Sequence, residues 1–110
     1  MATKRAGIFQ IKNKLEGKVL LGSSLNLHGP LNKHRFMLST GSHENAALQA
    51  DYKRLGADAF VFEELEVVKV KDDPAFSVSD ELARLEEIWL DRLEPLAPGG
   101  YNPSRRIREH

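Results

Sequence analysis

Gly7-Ile8-Phe9-Gln10-Ile11-Lys12-Asn13, followed closely by Lys18-Val19-Leu20-Leu21-Gly22-Ser23-Ser24, decides how this chain is read. Phe9 and Ile11 alternate with Gln10 and Lys12, the period of a strand with one buried face. Val19-Leu20-Leu21 is apolar on both faces and predicts a more central strand. Glu16-Gly17 lies in the connection, where glycine permits the backbone angles of a hairpin turn. Two strands this close, joined by a glycine-bearing turn, predict an antiparallel pair.

Working outward, Pro30 suits the first turn of a helix, where its missing N–H is not needed. A helix is predicted from about Pro30 to Leu38, stopped by Ser39-Thr40-Gly41-Ser42. A second runs from about Glu44 to Leu55, with Leu48, Tyr52 and Leu55 on one face and Gly56 as its C-terminal cap. The Val- and Phe-rich stretch Ala59 to Val70 reads as a third strand. Ser79-Asp80-Glu81 opens a strong helix to about Leu93, with capping chemistry and early negative charge. The order is β-β-α-α-β-α. It predicts an α/β (α+β) domain, a small three-stranded, mainly antiparallel sheet flanked by helices, over residues 1–102. Residues 103–110 read as a basic tail containing Arg105, Arg106 and Arg108.

The chain has 110 residues, with 16 basic and 16 acidic side chains, so one compact domain fits and no overall charge draws it to nucleic acid. Any such binding needs a local patch, and Lys33, Arg35, Lys53 and Arg54 are the candidates. The competing reading is two solvated helix faces. The absence of cysteine excludes disulfides, thiolate zinc sites and cysteine nucleophiles. No apolar run suits a signal peptide or a membrane span, so a cytoplasmic location without membrane contact is expected.

Glu86 stands out on helical geometry alone. Leu82, Leu85, Trp89 and Leu93 define the apolar stripe of the last helix, and Glu86 falls inside it whereas Glu87 does not. A carboxylate there is costly unless it pairs with an arginine or binds a cation. His34 lies between Leu31 and Leu38 on the inner face of its helix. It is either a satisfied core residue or a group for proton transfer. His43, just before the second helix, reads as a cap or a solvent-exposed residue.

Together these elements resemble the GIY-YIG nuclease superfamily, most closely its group-I-intron homing endonuclease branch. The resemblance rests on Gly7-Ile8-Phe9, Leu20-Leu21-Gly22, Lys18-Val19, Ser23-Ser24, His34, His43, Leu48-Gln49, the Phe60-Val61-Phe62-Glu63 strand, Glu86 with Trp89, and Tyr101-Asn102. It implies that Glu86 is the single metal-holding glutamate, with Mg2+ or Mn2+ as cofactor. It implies that His34 lies near the scissile phosphate, that His43 matches a second histidine, and that Gly22 lets the strand approach the site closely. Asn102 would tie the C-terminal segment to the site. A turn asparagine after Gly99-Gly100 is the plain alternative.

Three positions depart from that pattern. Phe9 and Leu20 replace the two tyrosines and lack their hydroxyls. Pro30 stands where the family has a phosphate-holding arginine, and no proline supplies a guanidinium fork. Lys33 or Arg35, one turn away, are candidate substitutes, and His34 or His28 could position water. The expected function is therefore metal-dependent phosphodiester hydrolysis of nucleic acid, DNA ahead of RNA, with altered activity. The alternative is a catalytically inactive nucleic-acid-binding or protein-interaction module on the same fold.

Overall fold

The computed structural model describes residues 5–95 and 99–103. The predicted basic tail with Arg105, Arg106 and Arg108 lies outside the described residues. The expected order is observed: β1 (Gly7–Asn13), β2 (Val19–Ser24), α1 (His28–Thr40), α2 (Ala46–Leu55), β3 (Phe60–Val67) and α3 (Val78–Leu93), with a short 3-10 turn before β3. No helix among the described residues is long and apolar enough to cross a membrane.

The sheet order is β2-β1-β3, with both pairings antiparallel. The reading of Val19-Leu20-Leu21 as a more central strand is therefore corrected. β1 is central and β2 is an edge. β2 is apolar on both faces because helices cover both faces of the sheet. Ile8 and Leu21 pack with Leu82 and Leu85 of α3. Ile11 packs with Leu38 of α1, Leu48 of α2 and Phe60, with Leu20 against the same cluster. Two-sided burial thus reflects layering, not position in the sheet. Against β3, the register slips between Ile8 and Phe9, so Leu65 bulges without an opposite residue.

Helix boundaries follow local chemistry. α1 starts two residues earlier than its sequence suggested, and Pro30 occupies its first turn, where no N–H is required. It ends on Gly41 in the left-handed region, at φ 79°. α2 begins after Asn45, whose side chain accepts from the Leu48 N–H. α3 begins one residue before Ser79, because Ser77 rather than Ser79 is the cap and accepts from the Asp80 N–H. Asp80 and Glu81 then sit in the positive first turn, as predicted.

Candidate active site

The cross-strand pair Phe9↔Gly22 forms the floor of the site on the α1/α2 side of the sheet. A Cβ on Gly22 would stand only 2.4 Å from Phe9 Cζ, so the ring lies directly across the glycine. Gly22 is required by this close approach of its own neighbour. The Phe9 ring in turn meets the His34 ring, with centroids 5.5 Å apart. Leu20 shares this face and packs into the core. Both positions that hold tyrosines in the family pattern are thus apolar, and Phe9 meets His34.

His34, from α1, and His43, from the loop before α2, form a direct pair: His34 Nδ1 lies 2.7 Å from His43 Nε2. His43 is buried, which corrects its reading as a solvent-exposed residue. Its backbone N–H donates to Gln49 Oε1, and its Nδ1 accepts from the Asn45 N–H. Burial lowers the pKa of both rings. For His34, the neighbouring His43 lowers it further, Glu44 opposes the shift, and Lys33 adds to it. For His43, Glu44 again opposes burial. The pair is therefore neutral near pH 7.

A cleft of about 380 Å3 opens beside the pair, lined by Pro30, Lys33, His34, Met37, His43 and Glu44. Of the four basic candidates, only Lys33 lines it. Arg35 stacks over the Phe62 ring at 4.7 Å. Lys53 borders a separate groove between α1 and α2. Arg54 is bound to Glu16 and Asp51. The basic candidates do not form one patch, and Glu44 offsets the charge of Lys33 within the cleft.

Glu86 lies elsewhere. Its Oε1 accepts a hydrogen bond from Ser23 Oγ at 3.1 Å. Ser23 pairs across the strands with Ile8, which packs on α3. The carboxylate therefore sits on the α3 face of the sheet, and it does not line the histidine cleft. No arginine pairs with it among the described residues. The sheet, with the Phe9 ring lying across Gly22, stands between the two.

The C-terminal segment seals part of that edge. Tyr101 N–H donates to the Val19 carbonyl. Asn102 clamps Leu21 from both sides, accepting from its N–H at 2.8 Å and donating to its carbonyl at 2.9 Å. Asn102 is thus a tie to β2, not merely a turn residue. Because Leu21 turns its backbone groups outward, strand alternation turns those of Ser23 outward too, just beyond the clamp.

Asp51 anchors this segment and was not singled out from the sequence. It accepts from the Tyr101 hydroxyl at 2.7 Å, from Arg54 at 2.8 Å and from Lys18 at 3.3 Å. Burial pushes its carboxyl up, but the hydrogen bonds from Arg54, Tyr101 and Lys18 outweigh it and hold the pKa below the usual value. Burial raises the Tyr101 hydroxyl, which keeps it a donor. Helical spacing marks Asp51 less sharply than Glu86, since at about 100° per residue it falls beside the Leu48–Tyr52–Leu55 stripe of α2, not within it.

Among the described residues, no three His, Asp, Glu or Cys side chains converge to hold a metal ion. Glu86 offers one carboxylate, committed on one oxygen to a neutral hydroxyl. That suits Mg2+, which keeps several waters and needs few protein ligands.

No protein-family model matches the chain. No curated protein matches it. Solved structures do. The catalytic domain of homing endonuclease I-TevI matches with 28% identity and a TM-score of 0.70, over 91% of this chain and 99% of that one. A mutant of the catalytic domain of intron endonuclease I-TevI matches with 28% identity and a TM-score of 0.69, over 89% and 92%. Along nearly its whole length, the chain has the fold of a GIY-YIG nuclease catalytic domain.

Proposed function

We propose that this domain hydrolyses phosphodiester bonds in nucleic acid, DNA ahead of RNA, with Mg2+ or Mn2+ held at Glu86. The observation that carries this reading is the pairing of His34 with His43 at a cleft that also holds Lys33, in a fold similar to a nuclease catalytic domain. Lys33 stands one turn beyond Pro30 and supplies the cation that the proline cannot. Its ammonium binds phosphate as a point charge, without a guanidinium's fork. His34 contributes a ring N–H to a phosphate oxygen. Phe9 and Leu20 exclude water from the floor. Gly22 keeps β2 thin, so a strand laid over the open edge at Ser23 meets the cleft on one side and Glu86 on the other. The metal, when bound, supplies charge stabilisation to the phosphodiester and its leaving oxygen.

A second reading, a nucleic-acid-binding module without catalysis, is favoured by Phe9, Leu20 and Pro30, which remove three polar groups of the family pattern. Losing even one preorganised donor lowers rate by about 10²–10³. The separation of Glu86 from the histidine cleft favours it as well. The deciding experiment incubates the purified chain with labelled single- and double-stranded DNA and with RNA, with Mg2+ or Mn2+, beside Glu86→Ala. Cleavage lost in the variant supports the nuclease. Binding without cleavage, or equal cleavage by both proteins, supports the second reading.

A further inference from the structure

His34 has two ring nitrogens, and the fold commits one of them. Nδ1 faces His43 Nε2 at 2.7 Å, so one of these two atoms carries the shared hydrogen. The far side of His43 decides which. The Asn45 backbone N–H donates to His43 Nδ1 at 3.0 Å. A nitrogen that accepts carries no hydrogen, so neutral His43 holds its hydrogen on Nε2. That hydrogen is donated to His34 Nδ1, which must accept. His34 then carries its own hydrogen on Nε2. This atom has no hydrogen-bond partner among the described residues. No buried side-chain nitrogen or oxygen among them lacks one, so Nε2 is open to solvent. His34 lines the cleft, and Nε2 is its one ring nitrogen not engaged by His43.

We propose that the Asn45–His43–His34 chain holds His34 as a neutral Nε2–H donor to a phosphate oxygen, not as a base that takes a proton from water, with Gln49 as its positioning residue. The phosphate rests on the nuclease reading, whereas the tautomer does not. Gln49 accepts from the His43 N–H at 2.9 Å and donates to the Leu38 carbonyl at 3.1 Å. It thereby pins the His43 loop to the end of α1, the helix that carries His34. Asn45 is fixed in turn: its side chain caps α2 through the Leu48 N–H and donates to the Tyr101 carbonyl at 2.7 Å.

Protonating the pair breaks this chain. A hydrogen on His34 Nδ1 would oppose the one on His43 Nε2. Moving the latter to His43 Nδ1 would oppose the Asn45 N–H. The groups around the pair are Glu44, which favours charge, Lys33, which opposes it, and the apolar Phe9 ring. A base at neutral pH must have a lone pair aimed at its proton. The one ring nitrogen of His34 not engaged by His43 carries a hydrogen.

The test is a long-range 1H–15N spectrum of the full chain labelled in its histidines, near neutral pH. The expected result is one protonated nitrogen, Nε2, on each of His34 and His43. An Nδ1–H tautomer at His34, or an average of both forms, overturns the assignment. Gln49→Leu, which removes both the acceptor for the His43 N–H and the donor to the Leu38 carbonyl, is expected to lose the single-tautomer pattern at both rings. An unchanged spectrum in Gln49→Leu, with the fold retained by circular dichroism, refutes the positioning role. A short DNA duplex is then added in EDTA, which prevents cleavage. A shift of the His34 Nε2 resonance without one at His28 supports the donor role, and its absence overturns it. A shift from a protein that never cleaves DNA refutes the nuclease reading alone.

Discussion

Gly22→Ala tests the floor of the site. An ideal Cβ at this position would lie 2.4 Å from Phe9 Cζ, 2.8 Å from Cε2 and 3.0 Å from Cε1. Carbon atoms pack best at about 3.5–4.0 Å, so the ring must retreat by about 1 Å or more. It has little room to do so. Phe9 is 4% exposed and rests against His34. Overpacking of this kind costs about 1–3 kcal/mol. Replacing a strand glycine returns about 0.5–1 kcal/mol of backbone entropy. The net expected loss is about 0–2.5 kcal/mol, centred near 1. The assay is equilibrium unfolding in urea for the parent, Gly22→Ala, Phe9→Leu and the double variant. Because the clash needs the ring, alanine at 22 should cost little in the Phe9→Leu background, with a coupling of about 1 kcal/mol or more. If the two substitutions add to within about 0.5 kcal/mol, the contact does not govern this position and the argument for Gly22 fails.

Asp51→Ala should destabilise by about 2–3 kcal/mol, most of it from the buried bond to Tyr101, because the ion pairs to the more exposed Lys18 and Arg54 are screened. It should also raise protease sensitivity near Asn102 in limited digestion; stability within about 0.5 kcal/mol of the parent would contradict the anchoring role. Acid should act in two stages. The lowered histidine pKa values stabilise the native state fully above the unfolded value of 6.5, and that contribution is lost as pH falls from there toward the folded values. The lowered Asp51 value adds stability present above 3.8 and lost as pH falls through the folded pKa. Melting temperature against pH checks both arms: His43→Gln should flatten the upper one and Asp51→Asn the lower. Finally, Lys33→Ala should weaken DNA binding and reduce the salt slope by about 1, while Arg35→Ala leaves both unchanged, as measured by fluorescence anisotropy.

The architecture was legible because local chemistry and burial agreed along most of the chain. Ser, Asn and Gly caps, a proline in a first turn and period-two alternation in β1 each pointed to the element that forms. The place of β2 was not legible. Two-sided burial looks alike in a central strand and in an edge strand sandwiched between helices, and only pairing distinguishes them. Glu86 was recoverable because one charge inside an apolar stripe is a visible contradiction. Asp51 stands at the edge of its stripe, and its partners Lys18 and Tyr101 are far away in sequence. The His34–His43 contact joins residues near in sequence, yet its meaning depends on the Asn45 N–H, a backbone group that no residue letter reveals.

The three departures from the family pattern bear on one another through this geometry. With Phe9 and Leu20 apolar, the face of the sheet beneath His34 offers no hydroxyl to share its proton. Desolvation then outweighs the opposing charge of Glu44 on both imidazoles and keeps them neutral. A tyrosine hydroxyl at position 9 would supply an alternative partner and weaken the dependence of His34 on His43. A cation at position 30 would favour the neutral pair still further by repulsion, so its absence is the easier loss to absorb. The polar groups are divided by β2: the histidine pair, Lys33 and Glu44 lie on the α1 face, and the Glu86 carboxylate lies on the α3 face. Because Glu86, the proposed metal-holding residue, lies on the opposite face from the histidine pair, the proposed hydrolysis needs a substrate that crosses the edge strand. The outward backbone of Ser23, beyond the Asn102 clamp, is where the fold leaves that crossing unblocked.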